Sequence, residues 1–265
     1  MKKQTNSIVK FLAFAFALTT AFFFSTAQAA DGLKLMTYNV RHGSGLDNKT
    51  DYARTCGVIN GEAPDVIALQ EIDCKTKRSD GADVLEEFSK LTGMHPTFGA
   101  SIDFQGGQYG NGVLSKEKPI SVNCCPLPGS EEKRSVLIVE FEKYVFCSTH
   151  WSLTEKDRDA SVAVVTEKMK EQKKPVFLCG DFNAQLKENS MKTLQKDWTL
   201  LNAEDATFPA DKPKILIDYI CAADPAGNIS NDDWKASVRE AYVVDEKVAS
   251  DHRPVVVVID DALLQ

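Results

Sequence analysis

The sequence predicts a layered α+β or mixed α/β sandwich, on three observations. Short apolar segments of strand character outnumber segments of helical period, hairpins are mixed with helical crossovers, and long helices are few. A regular doubly wound sheet needs strict alternation of strand and helix, which this chain does not keep. Several of the strands also share a design, an apolar run that meets a polar residue. Pro175-Val-Phe-Leu-Cys-Gly-Asp181-Phe-Asn183 is the clearest, joined by Leu35-Met-Thr-Tyr-Asn39, Val66-Ile-Ala-Leu-Gln-Glu71, Val145-Phe-Cys-Ser-Thr-His150 and Ile215-Leu-Ile-Asp218, while Ser250-Asp251-His252 stands just before Val255–Ile259. Each alone reads equally as a helix cap or a turn. Together they describe a convergent site.

The elements follow in order. Residues 1–29 read as a secretory signal: Lys2, Lys3 and Lys10 precede an apolar run from Phe11 to Phe24, and Ala27-Gln-Ala29 offers a cleavage site. The run is shorter than the roughly 18–20 residues of a spanning helix, so the mature chain is expected to be exported, periplasmic or secreted, without a transmembrane segment. Residues 30–265 are then one domain and a monomer by default. Leu33–Val40 is a strand, followed by the Gly-rich loop Arg41–Gly45. Asp51 caps a helix to Asn60 that Gly61 stops, and Pro64 resets the chain into the strand Asp65–Leu69. A charged loop, Asp73–Asp80, leads to a helix over Asp83–Leu91 ended by Gly93. Strands follow at Thr97–Asp103, Tyr109–Ser115, Ile120–Asn123, Ser135–Phe141 and Tyr144–Thr149. Thr154-Glu-Lys-Asp157 has capping-box form and opens a helix to about Gln172, with Val162, Val165 and Met169 on one face. The Pro175 strand, a short helix over Glu188–Gln195 and strands at Ile215–Cys221, Ser237–Val243 and Pro254–Ile259 complete the chain.

Charge and cysteine content narrow the chemistry. The formal charge is −7, and the first 29 residues hold three lysines and no acid, so their removal takes it to about −10. That is a poor field for nucleic acid. All seven Cys follow the signal, and their odd number and spacing give neither a disulfide framework nor a zinc motif. Strand-end carboxylates and amides are hard oxygen donors, which suit Mg²⁺, Mn²⁺ or Ca²⁺, with Mg²⁺ or Mn²⁺ the expected cofactor and Glu71 the best single ligand. Asp218 is the kind of nearly buried acid that needs a cation, and His252 would satisfy it.

Taken in order, Thr-Tyr-Asn39-Val, Leu-Gln-Glu71-Ile-Asp, Ser-Thr-His150-Trp, Gly-Asp181-Phe-Asn183-Ala, Ile-Asp218-Tyr-Ile and Ser-Asp251-His252-Arg-Pro-Val resemble the ordered motifs of the endonuclease/exonuclease/phosphatase superfamily over residues 33–259. The resemblance implies a DNase I-like four-layer sandwich, two mixed β-sheets flanked by helices, with the cleft at one sheet edge. It implies Glu71 as principal metal ligand, assisted by Asn39 and Asp251. Asp181 resembles the residue that orients or deprotonates the attacking water, Asn183 one that holds a phosphate oxygen, and His252, oriented by Asp218, the group on the scissile phosphate. His150 matches a second histidine of the DNase and sphingomyelinase branches and is expected as acid for the leaving group. Arg134 resembles a phosphate-contacting Arg of some branches, with a solvated Arg as the competing reading.

The chain departs from the better-known branches at Arg41, where abasic endonucleases carry an acid. Arg41-His-Gly43 and Gln105-Gly-Gly-Gln-Tyr109-Gly-Asn111-Gly resemble a secreted bacterial subgroup; Tyr109 and Asn111 stand either in a substrate wall or in a plain Gly-rich hairpin. The resulting expectation is metal-dependent hydrolysis of a phosphoester, with a small or lipid-borne phosphodiester favoured over duplex DNA. Arg41, Lys75, Lys77 and Arg78 would hold one or two phosphates, which is thin for a duplex. Trp151 and Phe104 are the candidates for lipid contact. A secreted endonuclease and an inactive binding protein on the same scaffold are the alternatives.

Overall fold

The strand-end design becomes two sheets. The computed structural model describes Met1 and residues 32–264, so the signal segment lies outside the described residues. The first sheet runs, across its width, β11 (Val238–Val243), β12 (Val255–Ile259), β1 (Leu33–Asn39), β2 (Val66–Cys74), β4 (Gly107–Ser115) and β3 (His95–Phe104). The second runs β5 (Ser121–Leu127), β6 (Arg134–Glu140), β7 (Val145–His150), β8 (Val176–Asp181), β10 (Asp218–Ala223) and β9 (Thr199–Leu200). Each sheet is mixed in the same way. Its central pair, β1–β2 or β7–β8, is parallel and every other pairing is antiparallel.

Parallel neighbours need a crossover, and the two helical crossovers are α1 (Tyr52–Glu62) between β1 and β2 and α3 (Glu155–Lys170) between β7 and β8. With α2 (Val84–Thr92) beside α1 and α4 (Asn189–Leu194) beside α3, they cover the two outer faces, giving four layers. Leu35, Val66, Ala68, Phe146, Phe177, Cys179, Ile220 and Val257 fill the space between the sheets. Met36, Tyr38, Ile67 and Leu69 pack instead against Cys56, Ile59, Leu85 and Phe88 of α1 and α2. Val145, Cys147, Leu178 and Tyr219 pack against Val162, Val165, Met169 and Met191 of α3 and α4. Phe177 anchors the central layer edge-on to Tyr144 and Trp234, with ring centroids 5.7 and 5.5 Å away. The expected fold class is the observed one.

Local signals held where their chemistry was local. Asp51 and Asp83 accept hydrogen bonds from the backbone N–H of Arg54 and Glu86, and α2 closes at Gly93 with φ +73°. Others moved. Gly61 lies inside α1, which runs one residue further and closes on left-handed Ala63. Thr154 is the N-cap of α3 but makes no cap bond: its hydroxyl donates to Glu131, and Asp157 accepts from Ser130 and Ser152 instead of closing a capping box. The strand expected at Ile215–Cys221 begins at Asp218, because β10 must register with β8, Asp218 opposite Asp181. The helix α5 (Asn231–Ser237), held by a capping box of Ser230 and Asp233, and the two-residue β9 were not foreseen. All seven cysteines are free. No helix among the described residues is long and apolar enough to cross a membrane.

Candidate active site

The side chains that converge do so by strand parity. In β1, Leu35 faces the inter-sheet core, so Thr37 and Asn39 face it too. Phe146 places His150 on that face, Phe177 and Cys179 place Asp181, and Ile220 places Asp218. The parallel strands contribute their C-terminal ends. The antiparallel β10 contributes its first residue, and Ser250-Asp251-His252 arrives just before antiparallel β12. All therefore meet at one edge of the gap between the sheets.

Glu71 has the wrong parity and reaches the site by a bulge. Leu69 and Ile72 both pack toward α1 and α2, and the β2–β4 register shifts between them. Glu71 has φ +61°, and Arg41 and His42 beside it have φ +45° and +47°. Left-handed non-glycine backbone costs about 1–3 kcal/mol per residue and gathers at functional sites.

A continuous chain of contacts results. Asn39 Nδ2 donates to Glu71 Oε1 at 3.0 Å and to Asp181 Oδ2 at 3.1 Å. Asp181 Oδ2 lies 3.4 Å from His150 Nε2 and 3.6 Å from His252 Nε2. His252 Nδ1 lies 3.1 and 3.0 Å from the two oxygens of Asp218. Asn183 donates its backbone N–H to Asp181 Oδ1 and its amide to the carbonyl of Trp151. Ser250 Oγ donates to the Asn39 carbonyl at 2.6 Å, which ties the Asp251-His252 segment to β1.

Burial sets the charges. It lifts Asp181 to about 7, against the opposing pull of His252 and with Asp218 adding to it. Burial acts to lower His252, but Asp218, Asp181 and Asp251 together raise it to about 10. His150 is driven well below the usual histidine range by burial, Arg134 and His252. One imidazole is therefore charged and its neighbour neutral.

Two oxygen-rich sets could hold a divalent cation. Asp181, Asp218 and His252 lie close enough to share one. The His252 proton, however, already offsets one of the two carboxylates, and Nδ1 is taken by Asp218. Glu71 and Asp251 fit better: burial raises Glu71, the nearby Asp251 charge raises it further, and Glu71 Oε2 has no hydrogen-bond partner among the described residues. A buried carboxylate whose charge is disfavoured by burial and by a second acid is what a hard cation relieves. Asn39, expected as a third ligand, turns its amide nitrogen toward Glu71 and its oxygen to the Arg41 N–H, so here it positions Glu71 and Asp181.

The expected substrate contacts are for the most part already engaged or buried. Arg41 bonds the Gly45 carbonyl and lies 3.9 Å from Asp251. Arg134 is 7% exposed and paired with Glu132 at 3.0 Å and Glu131 at 3.7 Å. Tyr109 and Asn111 are buried in the β3–β4 hairpin, where Asn111 donates to the Ser135 carbonyl and its Oδ1 has no partner among the described residues. A groove of about 710 Å³ lies beyond Arg134 and is lined by Asp103, Glu131 and Glu132 among others. Its acids repel phosphate, and it holds none of the converging residues. Trp151, expected as a lipid contact, is fully buried and stacked on Phe182 at 4.4 Å; Leu153, 66% exposed, is the apolar side chain that faces solvent there. Thr207, whose hydroxyl donates to Asp218, escaped the sequence reading because it sits in a loop without a motif.

Comparison with known proteins agrees with this fold. Residues 36–252 match the family model described as the endonuclease/exonuclease/phosphatase family. Among solved structures, the chain is similar to an endonuclease/exonuclease/phosphatase from Beutenbergia cavernae (20% identity, 86% of this chain and 71% of that one, TM-score 0.69). It is also similar to one from Bacteroides vulgatus (16%, 86% and 98%, TM-score 0.70) and to a Bacteroides thetaiotaomicron mannosyl-6-phosphatase (19%, 85% and 98%, TM-score 0.64). No curated protein matches the chain by sequence.

Proposed function

Because this chain belongs to the endonuclease/exonuclease/phosphatase family, we propose that it is a metal-dependent hydrolase of phosphoester bonds acting on a small or lipid-borne phosphodiester. The observation that carries this reading is Asp181. It is a fully buried carboxylate lifted to about 7, set within 3.6 Å of a charged imidazole and joined through Asn39 to Glu71. A base poised near neutrality beside a fixed cation is what in-line attack by water on a phosphorus centre requires.

When bound at Glu71 and Asp251, Mg²⁺ or Mn²⁺ supplies Lewis acidity and a template for phosphate oxygens. The protein's residues do the rest. Asp181 aligns water and takes its proton, and Asn39 and the Asn183 N–H hold that carboxylate in place. Asn183, fixed on the Trp151 carbonyl, has a second amide N–H for a phosphate oxygen. His252 donates its Nδ1–H to Asp218 and is assigned to turn Nε2 to the scissile phosphate, where its charge meets the charge that develops. The leaving-group proton is assigned to His252 and not to His150, because burial and the neighbouring cations keep His150 neutral; His150 enters as a hydrogen-bond donor.

The preference against duplex DNA rests on charge. The chain is acidic, and Arg41 and Arg134 at the cleft are each already paired with carboxylates. Export belongs to the proposal, with the mature chain beginning at Ala30, and mass spectrometry of the protein recovered outside the cytoplasm reads that terminus. The central experiment is hydrolysis of chromogenic phosphomonoesters and diesters by the purified chain, with Mg²⁺ and with excess chelator. Metal-dependent diester cleavage supports the proposal, and full activity in chelator overturns its metal component. No turnover of any phosphoester, with metal binding intact, would favour a binding protein on this scaffold.

A further inference from the structure

Just beyond Glu71, β2 carries an acid with no part in the chemistry above. Asp73 is fully buried, and an unpaired carboxylate there would be costly. Arg78, returning from the 3-10 turn at Lys77–Ser79, clamps it through two bonds, Nε to Oδ2 at 2.7 Å and Nη2 to Oδ1 at 2.8 Å. Thr76 Oγ1 donates to the same carboxylate at 2.7 Å. The guanidinium also lies over two rings, 4.7 Å from the Phe104 centroid and 5.3 Å from that of Tyr109. Its backbone N–H is latched to Gln105 Oε1 at the tip of the β3–β4 hairpin. Held on every side, it spends little entropy on a ligand.

This fixation leaves one edge unused. Nη1 has no hydrogen-bond partner among the described residues, and the side chain is 30% exposed. The clamp is near the site: Asp73 follows Glu71 by two residues in β2 and lies opposite Tyr109 in β4, and the Arg78 charge on it acts to lower both Glu71 and His42. A guanidinium needed only to balance Asp73 would not have to be an arginine presented on an aromatic shelf beside a metal ligand, since a lysine ammonium neutralises a carboxylate as well.

We infer that Arg78 is a specificity-determining residue whose free edge receives a second, non-scissile anionic group of the substrate, a phosphate or a carboxylate, so that the preferred substrates are small and carry two anions. The inference rests on the phosphoester reading for the scissile group. It adds a subsite displaced from Glu71 toward the β3–β4 hairpin, where planar bidentate recognition is available. Arg78 touches the substrate without touching the reacting atoms.

The test is calorimetric binding with Mg²⁺ present, on an Asp181→Asn background to prevent turnover. Glycerophosphoethanolamine, a diester with one anion, is compared with glycerophosphoserine, which adds a carboxylate, and glycerophosphoinositol is compared with glycerophosphoinositol 4-phosphate, which adds a phosphate. The carboxylate pair tests a shorter span and the phosphate pair a longer one. Arg78→Gln alone would strand the Asp73 charge, so the working variant is Asp73→Asn with Arg78→Gln, a neutral pair of similar shape, checked by its melting temperature. At one span or the other, the two-anion ligand binds about tenfold or more tighter than its one-anion partner, and the double variant brings the ratio to within about twofold. Which of glycerophosphoserine and glycerophosphoinositol 4-phosphate gains more identifies the second anion. The inference is overturned if two-anion ligands show no preference at either span, or if the preference survives in a folded double variant, which would leave Arg78 as a loop staple. Absence of phosphoesterase activity in the unmodified chain would instead count against the phosphoester reading, and is read separately from these ratios.

Discussion

Asp181 links activity and stability through one proton. As the base it must be ionised, so kcat/KM is expected to climb as pH rises through about 7, with a bound cation moving that limb to lower pH. His252 must be charged, so the rate falls as pH passes about 10. Burial opposes the His252 charge and Asp218 is the largest charge sustaining it, so Asp218→Asn moves the descending limb to lower pH and reduces kcat more than it raises KM. A pH–rate series on both proteins checks this, and lost affinity at unchanged kcat would place Asp218 in the binding wall. Asp181→Asn is expected to lower kcat by about 10²–10⁴-fold. Its stability effect has the opposite sign. With a folded pKa above the unfolded one, Asp181 binds more protons in the native state between roughly pH 4 and 7, so its contribution falls as pH rises through that window. Asp181→Asn should therefore raise the melting temperature at pH 8 and change it little at pH 4, as thermal melts at the two values would show.

At the scale of elements, the site depends on how closely β7 and β8 approach at their ends. A Cβ on Gly180 would meet the Thr149 carbonyl oxygen at 1.9 Å, and that backbone lies in register with the His150–Asp181 pair. Gly180→Ala is expected to destabilise the protein by about 1–3 kcal/mol or more and to depress kcat by pushing Asp181 from His150, to be read by denaturant unfolding beside kinetics. Wild-type stability with wild-type rate would show that the strand ends yield. The β2 bulge presents Glu71 in the same way. Glu71→Gln keeps the Asn39 contact but removes a charge, so half-maximal activity should require much more Mg²⁺, with the fold intact; an unchanged metal titration would move the cation elsewhere.

The whole molecule decides the substrate by its field. A duplex ligand that neutralises 6–10 phosphates loses about 10³–10⁵ in affinity between 50 and 200 mM salt, whereas one small diester loses far less. We expect small diesters to be cleaved with weak salt dependence and plasmid poorly at every salt. Plasmid nicked best, and falling steeply with salt, would make the chain a nuclease despite its charge of −7. Leu153, exposed beside the buried Trp151, is where lipid contact would be read by vesicle binding.

Part of the convergence is legible in the chain alone. The apolar runs ending in Asn39, His150 and Asp181 are local, and a period of two places alternate side chains on one face whatever the strand pairs with. Caps such as Asp51 and Asp83 are equally local, because a cap needs only the next turn of helix. What the chain could not announce depends on partners far away in sequence. The start of β10 was fixed by its register with β8. The Thr154 hydroxyl was claimed by Glu131, more than twenty residues away. Glu71 came into the site through an inserted residue that breaks the period on which a sequence reading relies. Charge was decided last and only in three dimensions. His150 and His252 look alike in sequence, yet burial with Arg134 nearby leaves one neutral, while Asp218 and Asp181 hold a proton on the other, because electrostatic energy depends on distance and solvent exclusion and not on chain order.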